Sequence, residues 1–167
     1  MARTTKIRYY KKKGIWSANI NQFRTTQTLQ GNAINYGYNI LCENPAQSIT
    51  TVSQQYTVKN IDIMFNAEVG ANPNYIEDIV YYIMYVPQGM TIDNNYSKNH
   101  PEYIMAMRYI GSAQSDSNTR TPTRVKTRLA RRLQTGDKII LYFTCENQSG
   151  NDISADISGI VRWCSSI

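Results

Sequence analysis

The sequence INYGYNILC, at residues 34–42, places an apolar side chain at every second position: Ile34, Tyr36, Tyr38, Ile40 and Cys42. Successive side chains of a β-strand point to opposite faces, so this alternation predicts a strand with one face in the core and the other in solvent. The same spacing recurs at residues 16–20, 61–65, 139–145 and 153–163. The chain is therefore expected to be all-β, with antiparallel sheets that each bury one face.

Two stretches depart from this alternation. Residues 79–86, IVYYIMYV, are apolar on both faces, which predicts a central strand that is covered on two sides. Residues 100–107 fit a short helix inside a long loop, because Pro101 can begin a helix and Tyr103, Ile104 and Met107 would share one face of it. Turn signals such as Gly31-Asn32 and Pro87-Gln88-Gly89 separate seven or eight strands.

One core between two sheets is predicted from the inward positions of these strands. Its expected members are Ile34, Tyr36, Tyr38, Ile40, Ile61, Ile63, Phe65, Ile83, Leu141, Phe143, Ile157 and Val161. A chain of 167 residues is of ordinary length for a single domain with such a core. The three cysteines are far apart and lack metal-ligand spacing, which favours buried thiols over disulfides or a zinc site.

The sequence contains none of the residue patterns that enzymes commonly use. His100 is the single histidine and precedes a proline, and neither a nucleophile elbow nor a phosphate-binding glycine loop occurs. We therefore expect no catalytic residues, no metal and no cofactor. The sequence also lacks an apolar run of 18 residues, and its basic start lacks the apolar stretch of a signal peptide, so neither export nor membrane insertion is expected.

The first thirteen residues carry six positive charges and no acid: Arg3, Lys6, Arg8, Lys11, Lys12 and Lys13. The remaining chain holds twelve basic and twelve acidic residues, so this segment accounts for the whole net charge of +6. We expect residues 1–13 to form a disordered arm, followed by a folded domain over residues 14–167. Its cations would contact nucleic-acid phosphates and Tyr9 and Tyr10 would stack on unpaired bases, although a solubilising tail or a nuclear import signal at residues 11–13 would have similar composition.

A second basic cluster at residues 120–132 also contains six cations and no acid. Pro122 bars a continuous helix, and the alternation of Val125, Thr127 and Leu129 favours a strand that begins near Thr123. A strand would align four of these cations as one basic stripe: Arg124, Lys126, Arg128 and Arg132. Two interpretations stay open, namely a nucleic-acid-binding stripe and a solvated face or set of ion-pair partners for acidic residues.

Three stretches in the middle of the chain resemble the capsid proteins of circular single-stranded DNA viruses that encode a replication initiator, the circovirus-like group. They are YVPQG at residues 85–89, HPEYI at 100–104 followed by RYIG at 108–111, and KTRLARRL at 126–133 leading to TGD at 135–137. The resemblance implies a single eight-stranded antiparallel jelly roll, with two four-stranded sheets. The short arm, which mixes lysine with arginine, departs from the longer arginine-rich arms typical of the group.

The resemblance also implies a homo-oligomer, a T=1 icosahedral shell of sixty copies around single-stranded DNA. The virion would be the location, with the host nucleus during assembly, and surface loops would meet a host receptor that the sequence does not identify. Residues 89–103 are expected at a subunit contact or the outer surface. Two other classes remain: the coat protein of a satellite single-stranded RNA virus, and a cellular β-sandwich binding module with a basic tail.

Overall fold

The computed structural model describes residues 15–44, 56–70, 75–112 and 122–166, so the predicted arm of residues 1–13 and Arg120 lie outside it. The described residues form nine strands: β1 (Ser17–Leu29), β2 (Ala33–Glu43), β3 (Tyr56–Val69), β4 (Ile76–Val86), β5 (Ile104–Gly111), β6 (Thr123–Thr127), β7 (Arg131–Leu133), β8 (Lys138–Asn147) and β9 (Ile153–Ser166). One short helix, α1 (Tyr96–Asn99), and a 3₁₀ turn at Pro101–Tyr103 lie between β4 and β5. Within these residues, no helix is long and apolar enough to cross a membrane.

The strands form two antiparallel sheets in the order of a jelly roll. Sheet 1 has the order β1-β9-β3-β6, and sheet 2 has the order β2-β8-β4-β5. The short strand β7 also pairs with β3, beyond the end of β6 and next to an irregularity at Asn60, whose φ is 54°. Strands β6 and β7 thus act as one interrupted strand. The predicted all-β jelly roll is confirmed, with one of its eight strands divided in two.

Eight of the predicted core residues are buried between the two sheets. Each of them is at most 3% exposed: Ile61, Ile63, Phe65, Ile83, Leu141, Phe143, Ile157 and Val161. An aromatic contact links the sheets, since the ring centroids of Phe65 in sheet 1 and Tyr81 in sheet 2 are 4.6 Å apart, and Tyr81 also lies 6.0 Å from the Phe143 ring beside it in sheet 2. The alternation in β3 and β9 therefore predicted the inward face correctly. In β8 it correctly placed Leu141 and Phe143 inward, but the expected solvent-facing side was wrong, because Ile140 and Tyr142 are fully buried on the opposite face.

The prediction for β2 was wrong, because the strand presents its other face to the core. The four apolar residues that were expected in the core are 39–58% exposed: Ile34, Tyr36, Tyr38 and Ile40. The inward face instead carries Asn35, Gly37 and Leu41. The Asn35 amide accepts a hydrogen bond from the Gln30 N–H at 2.7 Å and donates to the Gln30 carbonyl at 2.9 Å, so its burial is compensated.

Gly37 explains why this face fits against the core. An alanine Cβ at this position would lie 2.5 Å from Cε1 of Phe143, well inside van der Waals contact. The Phe143 ring thus occupies the space that a side chain at position 37 would need. A larger residue is excluded at position 37, and the tyrosines on either side of Gly37 consequently point outward.

Two other expectations from local patterns are corrected. The alternation at residues 16–20 predicted Trp16 and Ile20 inward, but they are 39% and 64% exposed. Trp16 precedes β1, and β1 presents Phe23 and Leu29 to the core instead of Ile20. The helix expected at residues 100–107 is limited to the 3₁₀ turn, and the chain from Ile104 onward is β5. Cross-strand pairing with β4, for example of Tyr82 with Met107, outweighs the local helical spacing.

The connection between β4 and β5 covers part of the outer face of sheet 2. A second apolar cluster forms there, in which Met84, Ile140 and Tyr142 pack against Tyr96. Strand β4 is therefore covered on both faces at this end, as its sequence predicted. Tyr96 is only 1% exposed, so this tyrosine packs within the subunit rather than at the subunit contact or outer surface that we expected for residues 89–103.

A buried carboxylate joins two of the stretches that carried the family resemblance. Asp137, 4% exposed, accepts hydrogen bonds from the Tyr85 hydroxyl at 2.7 Å, the Gln88 N–H at 3.0 Å and the Gln134 N–H at 2.8 Å. Burial and this hydrogen bond raise the pKa of Tyr85 to about 12. These motif residues thus hold the turn after β4 against the turn before β8, which is a structural role.

Candidate nucleic-acid interface and apolar outer face

Strand β6 places two predicted basic residues on the outer face of sheet 1. Val125 and Thr127 are buried against the core, so Arg124 and Lys126 point outward. The strand begins at Thr123, as predicted, but it ends at Thr127. Arg128 is exposed in the connection to β7, where strand alternation no longer determines its direction.

Asp62 of β3 lies at the centre of this basic group. The Arg124 guanidinium donates two hydrogen bonds to its carboxylate, one of them from Nε to Oδ1 at 2.7 Å. Lys126 and Arg162 stand directly opposite Asp62 on the neighbouring strands β6 and β9. The hydrogen bonds from Arg124, together with these nearby cations, lower the pKa of Asp62. One carboxylate is therefore shared by three cations, which leaves the group positive.

Two further cations of the basic group on this face were missed by the sequence analysis. Arg162 reaches it from β9, and Lys59 from β3, where its ammonium lies 3.4 Å from the ring centroid of Trp16. Each is isolated in the sequence, so no local cluster marked it. Arg162 could have been found from strand alternation, because it directly follows Val161, which was predicted to face the core.

Charge is distributed unevenly along this outer face. Strand pairing places Lys59, Arg162 and Lys126 at the end where β1 begins. Asp156 and Glu68 pair with each other at the opposite end, where the Arg24 guanidinium is 3.5 Å from the Asp156 carboxylate. Because the described chain starts at residue 15, the basic segment 1–13 is joined to the fold at the basic end of the sheet.

The other predicted basic residues do not all join this surface. The Arg131 guanidinium carbon lies 4.3 Å from the ring centroid of Tyr85, beside the buried Asp137. Arg124 forms an ion pair with Asp62 within the subunit, which agrees with the interpretation of the cluster as ion-pair partners for acidic residues. The arm residues predicted to bind nucleic acid, including Tyr9 and Tyr10, lie outside the described residues.

The outer face of sheet 2 has a different chemistry. Tyr38, Tyr142, Tyr82 and Met107 face one another across its four strands. Six side chains on this face are between 39% and 65% exposed: Ile34, Tyr36, Tyr38, Ile40, Met107 and Tyr109. If each fully exposed side chain offers about 200 Å², they present about 600 Å² of mostly apolar surface. That is the upper end of the largest patch on a typical monomer, and we call it the apolar band.

Within the described part of the chain, the cysteines and the acidic residues supply no further site. Cys42 and Cys145 are buried, as expected, and burial raises the pKa of each thiol to about 12, whereas Cys164 is half-buried. Among the described residues, no group of three His, Cys, Asp or Glu side chains is arranged to hold a metal ion.

No protein-family model and no curated protein matches the sequence. Solved structures similar to the chain include turnip yellow mosaic virus, at 12% identity and a TM-score of 0.40, with 90% of this chain and 93% of that chain covered. Desmodium yellow mottle tymovirus shows 13% identity and a TM-score of 0.39, with 98% and 96% covered. The decameric BFDV capsid protein shows 7% identity and a TM-score of 0.41, with 92% and 99% covered.

Proposed function

We propose that this chain is a viral capsid protein, which assembles through its jelly roll into a T=1 shell of sixty copies and packages single-stranded DNA. The observation that carries the proposal is the contrast between the two outer faces of one small jelly roll. Sheet 1 presents cations at the end where the basic segment joins the fold, and sheet 2 presents an apolar band. One face suits a polyanion, and the other suits a second copy of the chain.

The positive charge of the chain offsets part of the charge of such a cargo. Lys59, Lys126 and Arg162 add three cations to the six of residues 1–13, so sixty copies offer about 540 positive charges. A genome that encodes an initiator and this chain needs on the order of 1,400 nucleotides, each with one negative charge. The protein thus neutralises about two fifths of the cargo, and metal ions, polyamines or a smaller packaged segment supply the rest.

The apolar band is large enough to form most of a subunit contact. A standard protein interface buries about 800 Å² on each partner, and the band would supply about 600 Å² of that. Tyrosine is enriched at interfaces because its ring is large and amphipathic, and three of the six exposed side chains are tyrosines. A second copy is the occupant that we propose, since β2 is an edge strand of sheet 2 in the described fold and continues this surface to the sheet edge.

The assignment of DNA rather than RNA rests on the circovirus-like stretches alone. Some residues of these stretches stabilise the fold, as the hydrogen bonds of Asp137 with Tyr85 and Gln88 indicate, and such residues do not select a nucleic acid. Phosphate recognition by lysine and arginine is the same for both nucleic acids. The experiment must therefore distinguish the two cargoes chemically.

Electron microscopy and light scattering of the purified full-length chain test the assembly. We expect uniform shells roughly 200 Å across, as sixty subunits around a cavity would give. A 19.1 kDa monomer at every concentration and at physiological salt would overturn the capsid proposal in favour of a binding module. Extracted nucleic acid that RNase but not DNase degrades would instead indicate the coat of an RNA virus.

A charge-matched pair of variants tests the role of sheet 1. Lys126→Gln/Arg162→Gln removes two cations from its outer face, and Lys98→Gln/Lys138→Gln removes two cations from elsewhere. The first variant should package fewer nucleotides per shell, and its slope of log affinity against log salt should fall by about 1.4, at about 0.7 per lost contact. Equal changes in both variants would show that only net charge matters and that sheet 1 is not the interface.

A further inference from the structure

A depression of about 650 Å³ lies on the outer face of sheet 1, between the basic group and the acidic end. Two rows of side chains cross it: Arg24, Ser158 and Asn66 in one, and Gln22, Ile160 and Met64 in the other. Ser158 is the shortest member and forms its floor, while Pro122 closes the side toward β6. The volume is within the range of small-molecule sites in proteins.

Gly159 brings the strands under this depression close together. A Cβ at Gly159 would lie 2.5 Å from both the Met64 carbonyl oxygen and the Phe65 Cβ. The floor is therefore a tightly packed stretch of β3 and β9 rather than an opening into the core. Whatever occupies the depression rests on the sheet surface.

Asn66 is the feature that suggests a ligand. Its side-chain oxygen is buried and has no hydrogen-bond partner among the described residues. A buried polar atom without a partner is rare in folded proteins, because leaving it unsatisfied destabilises the native state. Asn66 lines the depression, so rotation of its terminal amide would bring the oxygen within reach of a ligand that donates a hydrogen bond there.

The surroundings of Asn66 narrow the chemical class of that ligand. Met64 and Ile160 are 46% and 38% exposed, which gives an apolar surface on which a flat group can lie. Arg24 stands on one side, with three quarters of its side chain exposed, and Arg124 pairs with Met64 on the other. A planar group with hydrogen-bond donors on its edge and anionic groups on both sides fits this arrangement.

We propose that the depression binds one unstacked base of the packaged single strand. The base lies on Met64 and Ile160, and its edge donates a hydrogen bond to the Asn66 side chain. The flanking phosphates meet Arg24 and Arg124, which exchange their carboxylate partners Asp156 and Asp62 for phosphate. This inference rests on the proposed function, because it names how sheet 1 engages the strand. Every nucleobase carries a donor on its edge or can present a face for stacking, so little sequence preference is expected.

A substitution that fills the depression without a change of charge tests the proposal. Ser158→Leu places a bulky side chain on its floor, and Ser154→Leu makes the same substitution on the same face of β9 outside it. Binding of the full-length chain is measured with a short single-stranded DNA oligonucleotide and with an abasic oligonucleotide of equal length. Ser158→Leu should weaken binding of the base-containing strand by about fivefold or more and leave the abasic strand unchanged, whereas Ser154→Leu should affect neither.

Asn66→Ala supplies a second, independent measurement. Since the side-chain oxygen has no partner within the described fold, the variant should keep or raise the thermal midpoint while it loses affinity for the base-containing strand. A lower midpoint would show that the amide has a structural partner, and it would overturn the argument from Asn66.

The remaining outcomes separate the two proposals. If the wild-type chain binds neither oligonucleotide, the proposed function fails. If it binds both with equal affinity, and Ser158→Leu binds like the wild type, the base site is refuted and phosphate binding stands. If Ser158→Leu changes the assembly state seen by light scattering but leaves the binding of both oligonucleotides unchanged, another copy of the chain, rather than a base, occupies the depression.

Discussion

The contact between Gly37 and Phe143 determines which face of β2 meets the core, and Gly37→Ala tests it. The added methyl would lie 2.5 Å from Cε1 and 2.6 Å from Cζ of a ring that is 3% exposed. The ring cannot move away freely, because it packs against Tyr81 with centroids 6.0 Å apart. We therefore expect Gly37→Ala to destabilise the protein by overpacking.

The magnitude follows from two opposing effects. Overpacking of a dense core costs about 1 to 3 kcal/mol. Replacement of glycine by alanine also reduces the entropy of the unfolded chain, which stabilises by about 0.4 to 1 kcal/mol. The net loss in free energy of unfolding should be about 1 to 2 kcal/mol, which lowers the Tm of a chain of this size by about 2 to 8 °C.

Chemical denaturation followed by tryptophan fluorescence, at one protein concentration, measures these changes. Phe143→Leu replaces the ring with a smaller side chain. It should lower the free energy of unfolding by less than the roughly 3 to 5 kcal/mol expected for Phe143→Ala. In the double variant the alanine methyl enters the vacated space, so the combined loss should be smaller than the sum by about 1 kcal/mol. Ile34→Ser, on the opposite face of β2, should cost less than about 1 kcal/mol.

The alternative orientation of β2 predicts the reverse pattern. If Ile34 pointed to the core, Ile34→Ser would cost several kcal/mol and Gly37→Ala would be neutral or stabilising. Additive effects of Gly37→Ala and Phe143→Leu, within about 0.3 to 0.5 kcal/mol, would also refute the contact.

Three further predictions follow from other parts of the chain. Asp137→Ala leaves three donors without an acceptor and should lower the free energy of unfolding by about 3 to 5 kcal/mol in denaturant titrations, whereas a loss below about 1 kcal/mol would contradict the role of Asp137. Deletion of residues 2–13 should preserve the β-type circular dichroism spectrum and remove most of the slope of log affinity against log salt, which should be near −3.5 per subunit for about five phosphate contacts on a single strand. A truncated chain with an unchanged slope would show that the segment is only a tail or an import signal. Because burial raises the pKa of Cys42 and Cys145 to about 12, these thiols stay protonated at pH 8 and should be alkylated far more slowly than half-buried Cys164 until the protein unfolds. Mass spectrometry of timed samples measures the three rates, and equal rates in the native protein would contradict the prediction.

The sequence by itself was sufficient for the fold class and for most of the core. Period-two alternation marks strands reliably because side chains of a strand must alternate between faces, and β3 and β9 obey it with β-branched and aromatic residues. Strand β8 departs from it, since residues 139–143 are buried on both faces. The apolar stretch in β4 likewise predicted a strand that is covered on both sides. The basic segment at residues 1–13 and the cluster around Arg124 were visible for a similar reason, since each is contiguous in the chain.

Only the tertiary structure decided which face of β2 is inward. Alternation shows that the two faces of a strand differ, but apolar side chains suit a core and an interface equally well. The outcome depends on what stands opposite: Phe143 requires the space at Gly37, and local hydrogen bonds make the burial of Asn35 tolerable. The same limit applies to the basic face, where strand pairing brings Lys59, Lys126 and Arg162 from three separate strands to one end of sheet 1. Such a surface has no local signature, because the residues that compose it become neighbours only when the sheet forms.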